Sequence, residues 1–326
     1  MPNLNEIKSN LQEESDDYEQ TVAALLALSQ HLKYENSVDS WFGRKFKTST
    51  HNLISPDTDI TPDLTTQINE HYGIVTEARK NFAREENYDD KITQVKKYDD
   101  NLKGWETSDE FIQKHDLVIL THQIEVRDVE DHLKRRLSEF SGNHKIIIIG
   151  FIRNNENAVS VFIRKEGSEV FSENIGEKLR RGVAIKYEHL LQLGLGTIKF
   201  YDANPPMPYL LGVIWDNILS EKPTEEEYRA AGRGKIEIQT NIDEIVDELK
   251  RFAPRQNGNR LPEIPKRSWV EAALEKLVEI KLARRVRGKN KSGEYKIIFK
   301  RKLGRDQSSF ETFIDLIAKT MQQERL

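Results

Sequence analysis

The residues with the greatest capacity for chemistry lie between Pro62 and Tyr98. Two stretches, 60–68 and 72–78, alternate in the manner of strands around a polar loop, Asn69-Glu70-His71. With a hairpin centred on Glu70, cross-strand partners have numbers that sum to 140, so Asp63 stands opposite Glu77. Directly paired positions bring Cβ atoms to about 4.5–5.5 Å. Two carboxylates at that separation repel, and either one takes up a proton or a cation sits between them. Mg²⁺, with Mn²⁺ as a substitute, answers that need, because it is typically held by one or two carboxylates together with waters and a substrate phosphate. Arg79 shares the strand face of Glu77 by alternation, and Lys80 follows it. A fixed cation there would stabilise charge building up on a phosphate, and a lysine would also hold an attacking water. Gln94 and Tyr98 are four apart and share one face of a helix. Their amide and hydroxyl suit the positioning of a phosphate or a water.

The elements that must position these groups follow from period and punctuation. Apolar residues at spacings of three and four predict a helix over 18–46, including Val22, Leu25, Leu26, Leu32, Val38, Trp41 and Phe42. Pro56 and the run Asp57-Thr58-Asp59 break it. Beyond the hairpin come a helix over 90–104, a short buried strand at 117–120, an amphipathic helix over 126–140 and strands at 145–152 and 159–164. The alternation is that of an α/β or α+β domain. Asn204-Pro205-Pro206-Met207-Pro208 reads as a rigid junction, dividing the chain into domains 1–204 and 205–326. In the second domain, helices are expected over 242–252, 268–282 and 310–322. A hairpin over 284–302 has its tip at 288–293.

Taken together, Pro62-Asp63, the strand ending Glu77-Ala78-Arg79-Lys80 and the helix with Gln94-x-x-x-Tyr98 resemble the PD-(D/E)xK nuclease superfamily, and the Gln/Tyr helix resembles its RecB-like variant. The resemblance covers roughly 19–120, about a third of the chain. It implies a restriction-endonuclease-like fold, a central mixed sheet flanked by helices, and Mg²⁺-dependent phosphodiester hydrolysis. It further implies that Asp63 and Glu77 are metal ligands, that the Ala78 carbonyl is another, and that Gln94 and Tyr98 orient substrate or the helix. An acid from the preceding helix often joins such a site, and Glu35 is the best placed here. The chain departs from the pattern where the motif lysine belongs, since Arg79 stands there. Arginine is not deprotonated in proteins, so it positions a water but does not act as a base. Three readings stay open: Lys80 substitutes from the next position, Arg79 acts electrostatically, or catalysis has been lost.

Between residues 281 and 305 there are 11 basic residues and one acid, Glu294. Arg284, Arg285, Arg287, Lys289, Lys291, Lys296 and Lys300 are the DNA-binding candidates. A helix followed by a basic hairpin resembles a winged helix, a smaller second domain whose helix would enter a groove while the wing touches backbone, giving salt-dependent, largely sequence-independent affinity. Over the whole chain the formal net charge is only −4, with 37% hydrophobic residues and no cysteine. That excludes disulfides, cysteine-based zinc sites and thiol catalysis. The eight histidines show no metal-ligand spacing. No leader resembles a signal peptide and no apolar run approaches the ~20 residues of a membrane span, so a cytoplasmic protein is expected. The function these features imply is a DNA endonuclease of restriction or host defence, alone, as a homodimer or within a larger complex. The rival expectation is a non-catalytic DNA-binding regulator or complex subunit on a degenerate nuclease fold.

Overall fold

The computed structural model describes residues 3–36, 39–42, 62–69, 72–79, 85–101, 114–140, 144–154, 159–164, 173–186, 198–202, 204–224, 226–227, 235–253, 255–256, 259–260, 265–286, 293–300 and 309–323. Its contacts gather into two compact units, one of residues 20–197 with 254–259, the other of 1–19 with 198–253 and 260–326. A single cut between 204 and 205 does not describe this grouping, because residues 1–19 belong with the later segments.

Helix α1 (Leu4–Asn36) contributes residues to both units. It begins with a reciprocal cap: the Asn3 side chain accepts from the Glu6 N–H at 2.9 Å, and the Glu6 carboxylate accepts from the Asn3 N–H at 3.2 Å. The helix expected over 18–46 therefore starts earlier, and it also stops earlier. Asp39–Phe42 is a strand, β1, pairing Trp41 with Thr65 and Phe42 with Leu64. Apolar residues at 38, 41 and 42 fit either period over so short a run, and pairing with the next strand decides the outcome.

The first unit is built on a mixed sheet with seven strands among the described residues: β1, β2 (Leu64–Asn69), β3 (Tyr72–Arg79), β4 (Lys114–His122), β5 (Lys145–Asn154), β6 (Val159–Arg164) and β7 (Val183–Lys186). They lie side by side in chain order. β3, β4 and β5 are parallel and the other pairings antiparallel. Parallel neighbours need crossovers, and α2 (Glu85–Asn101) and α3 (Val126–Arg136) supply them. Leu117–Leu120 and Ile147–Ile149 are buried at every position, as expected of strands covered on both faces. On one face Val75, Leu117, Ile119 and Ile148 pack with Ile92, Val95 and Tyr98 of α2 and with Val126, Val129 and Leu133 of α3. Each such side chain contributes about 1.5–3 kcal/mol when fully buried. Helix α4 (Glu173–Arg181) and β7 were not legible in the sequence. Gly182, at φ 86°, lets the chain leave the helix in the left-handed region and enter the four-residue strand at once.

In the second unit, α5 (Met207–Ile214) continues through a wide helical turn, Trp215–Leu219. The proline-rich segment thus opens a buried helix, with Pro208 in its first turn, where a missing N–H costs nothing. There follow β8 (Lys235–Asn241), α6 (Ile242–Leu249), α7 (Arg267–Glu279), β9 (Ala283–Arg285), β10 (Glu294–Lys300) and α8 (Ser309–Gln323). The three strands form an antiparallel sheet in the order β9–β10–β8. Helix, strand, helix, helix, strand, strand is a winged-helix-like order. β8 was not among the expected elements. Trp215 anchors this core edge-on to Phe313, with ring centroids 5.5 Å apart.

Candidate active site

Asp63 immediately precedes β2 and is 6% exposed. Leu64 pairs with Thr76, Thr65 with Val75 and Thr66 with Ile74, so the numbers sum to 140 as the alternation requires. A register shift between Gln67 and Asn69 closes the hairpin without disturbing the far end. That register brings Asp63 to the end of β3, where its Oδ2 accepts the Ala78 N–H at 2.8 Å. Glu77, one residue earlier, is 3% exposed. Its Oε2 accepts the hydroxyl proton of Tyr98 at 2.9 Å, and the Gln94 amide donates to the Tyr98 oxygen at 3.0 Å. The i, i+4 spacing on α2 puts both side chains over the strand end. A chain of hydrogen bonds therefore runs from Gln94 through Tyr98 to Glu77. Burial, then the charges of Glu77 and Asp63, push the Tyr98 phenol well above its ordinary range, so it is a donor at neutral pH.

The geometry thus unites four sequence candidates: Asp63, Glu77, Gln94 and Tyr98. Ala78 joins them through its N–H. The side chains of Glu35 and Arg79 and the whole of Lys80 lie outside the described residues, so the motif-lysine position is not described. Among the described residues no group of three or more histidine or acidic side chains could hold a metal ion. Two buried carboxylates on adjacent strand ends nonetheless suit a small hard dication that keeps most of its shell as water and phosphate oxygen.

Sequence reasoning missed the neighbouring strand end. Arg79 is level with Thr121 on β4, and Thr121 is level with Gly150 on β5. Thr121 is fully buried, and its hydroxyl donates to Glu125 Oε2 at 3.2 Å. Asp63, Glu77 and Thr121 all stand at the C-terminal edge of the parallel strands, where open α/β sheets bind ligands. Only the abrupt change from strand 117–120 to helix 126–140 could have signalled it.

The basic segment of the second unit is less cationic than its composition implies. Arg284 bonds Glu237 at 2.5 Å, and Arg285 bonds Glu275 at 2.7 Å. Burial raises the Glu275 carboxyl, but hydrogen bonds from Arg285 and Tyr295 outweigh it and hold the group below its ordinary value. Helix α7 exposes Glu271 and Glu279, and its Lys276 is paired to Glu279. Arg267, exposed at the start of α7, is paired to Asp243, so the helix presents charges of both signs. Lys296 is half-buried on β10. Arg287, Lys289 and Lys291 and the side chain of Lys300 lie outside the described residues. Among the described residues, no helix is long and apolar enough to cross a membrane.

No family model matches the chain, and no curated protein or solved structure is significantly similar to it.

Proposed function

We propose that the chain is a Mg²⁺-dependent DNA endonuclease of the PD-(D/E)xK type, acting in the cytoplasm in restriction or host defence. The observation that carries the reading is the convergence of Asp63 and Glu77 at one strand end, with Tyr98 and Gln94 bonded in series behind Glu77. Asp63 and Glu77 are the residues that would hold the ion, with the Ala78 carbonyl beside them. A bound Mg²⁺ would supply a Lewis acid for the phosphate and lower the pKa of an attacking water. The protein's own contribution is orientation. The Ala78 N–H fixes the Asp63 carboxylate, and the Tyr98 hydroxyl fixes that of Glu77. Arg79 or Lys80 would contribute positive charge at the phosphate. The wing residues Arg287, Lys289 and Lys291 would hold DNA through its backbone, in a monomer, a homodimer or a larger complex.

Supercoiled plasmid incubated with the protein in Mg²⁺, Mn²⁺ or EDTA tests this directly. Metal-dependent nicking is expected, and Asp63→Ala and Glu77→Ala should each slow it by roughly a thousandfold or more, about 4 kcal/mol of barrier. A second reading, a non-catalytic DNA-binding regulator or complex subunit, is favoured by arginine at 79 in place of lysine. DNA binding without cleavage of plasmid, linear duplex or single strand would select it.

A further inference from the structure

Among the described residues, three large apolar side chains are exposed: Ile124 at 78%, Leu137 at 50% and Ile152 at 38%. Two of them, Ile124 and Ile152, lie at the strand ends that carry the candidate site. The sheet rows make the placement explicit. Glu77, Ile119 and Ile148 are level on β3, β4 and β5, and Arg79, Thr121 and Gly150 form the next row. Ile152 follows Gly150 by two residues, so alternation keeps it on the same face. With strands about 4.8 Å apart and about 3.3 Å per residue, Ile152 lies roughly 16 Å from Glu77 along the sheet. That is a distance a short run of nucleotides spans.

Ile124 is held out rather than left loose. It sits in the turn Gln123–Glu125 between β4 and α3. His122 Nδ1 accepts the Ile124 N–H at 3.4 Å, and Thr121 bonds Glu125. Gln123 fills the space over Gly150, where any Cβ would lie 1.9 Å from its Oε1. A pinned turn therefore presents its isoleucine to solvent at the end of β4, and Ile152 stands on the adjacent strand, β5. Arg127, exposed in the first turn of α3, adds a cation just after the turn.

We propose that Ile124 and Ile152 form an apolar lip that packs against an unstacked base of the strand being cut, so that the enzyme prefers single-stranded or frayed DNA to closed duplex. This rests on the nuclease reading above, since the reacting phosphate sets which strand crosses the lip. Aliphatic side chains such as isoleucine wedge against bases that have left their stack, and an apolar contact to a base face makes no hydrogen bond and so tolerates any sequence.

The test is binding in EDTA, so that nothing is cleaved, measured by fluorescence anisotropy with the full chain. The probes are an intact single strand, its closed duplex and a strand of equal length and charge built of abasic sites. The unsubstituted chain should bind the intact strand roughly tenfold more tightly than the abasic one, the worth of burying a few tens of Å² of apolar surface. The Ile124→Ser/Ile152→Ser variant should bind both at the weaker level, and Ile124→Leu with Ile152 intact should restore the difference. Equal affinity of the unsubstituted chain for intact and abasic strands overturns the proposal, as does a difference that survives the double substitution. Normal Mg²⁺-dependent cleavage without base discrimination sinks the lip alone. Discrimination without any cleavage sinks the nuclease reading and leaves the base contact standing.

Discussion

Tyr98 has two roles, filling the core between α2 and the sheet while donating its hydroxyl to Glu77. Tyr98→Phe keeps the ring and removes the donor, leaving a buried carboxylate short of a partner. The expected loss is about 1–2 kcal/mol of stability in urea unfolding. Groups behind a metal ligand typically matter 10–100-fold, so Mg²⁺-dependent cleavage should slow by about that factor. An unchanged rate would mean that Glu77 needs no orientation. Gln94 and Tyr98 were legible because a four-residue spacing on a helix has one geometric consequence. Asp63 and Glu77 were legible because a short polar loop between alternating runs fixes the register. Thr121 and Glu125 had no such signal. They meet each other locally, across the turn, but the place of Thr121 beside Arg79 depends on β4 lying parallel to β3, which no local pattern in either strand states.

At the scale of elements, the β4–α3 turn is locked to β5 through Gly150. Gly150→Ala puts a methyl group 1.9 Å from Gln123 Oε1 and 2.8 Å from Val126 Cγ2. The amide is the end of a flexible side chain and can swing aside. Val126 belongs to the packed first turn of α3 and cannot. A destabilisation of about 1–3 kcal/mol is expected, and adding Gln123→Ala should recover part of it. A urea double-mutant cycle measures the coupling; strict additivity would show that the two residues do not compete for space. The parallel strands β4 and β5 were readable as unbroken apolar runs, since burial on both faces leaves no alternation. β1 and β7 were not, because four-residue strands carry too few positions to establish a period. β8 was missed for a different reason. Its period is present, since Lys235, Glu237 and Gln239 alternate with Ile236 and Ile238, and pairing with β10 completes the strand, but it was not among the expected elements.

For the whole molecule, the two kinds of architecture were legible in outline, and their membership was not. Strands alternating with helices in the first unit, and helices followed by a hairpin in the second, follow from the succession of periods. That residues 1–19 join residues 198–253 and 260–326 is a long-range choice. It is made by contacts such as the Tyr18 hydroxyl, which donates to Asp202 at 3.2 Å and accepts from the Tyr201 N–H at 3.3 Å, with the Tyr18 and Tyr201 rings stacked at 4.8 Å. The ion pair of Lys8 with Asp315 is another. The division has a consequence in the order of synthesis. On the ribosome, residues 1–19 emerge long before residue 198, and at about 5–20 residues per second they wait roughly 10–40 s for their partners. Until then Tyr18, buried in the finished unit, is without the Tyr201 and Asp202 contacts it has there. A chain translated without residues 1–19 should melt at lower temperature, and the same peptide added in trans should raise its melting point again. A melting point indifferent to the peptide would show that this segment is a passenger, not the first-made piece of a unit finished last.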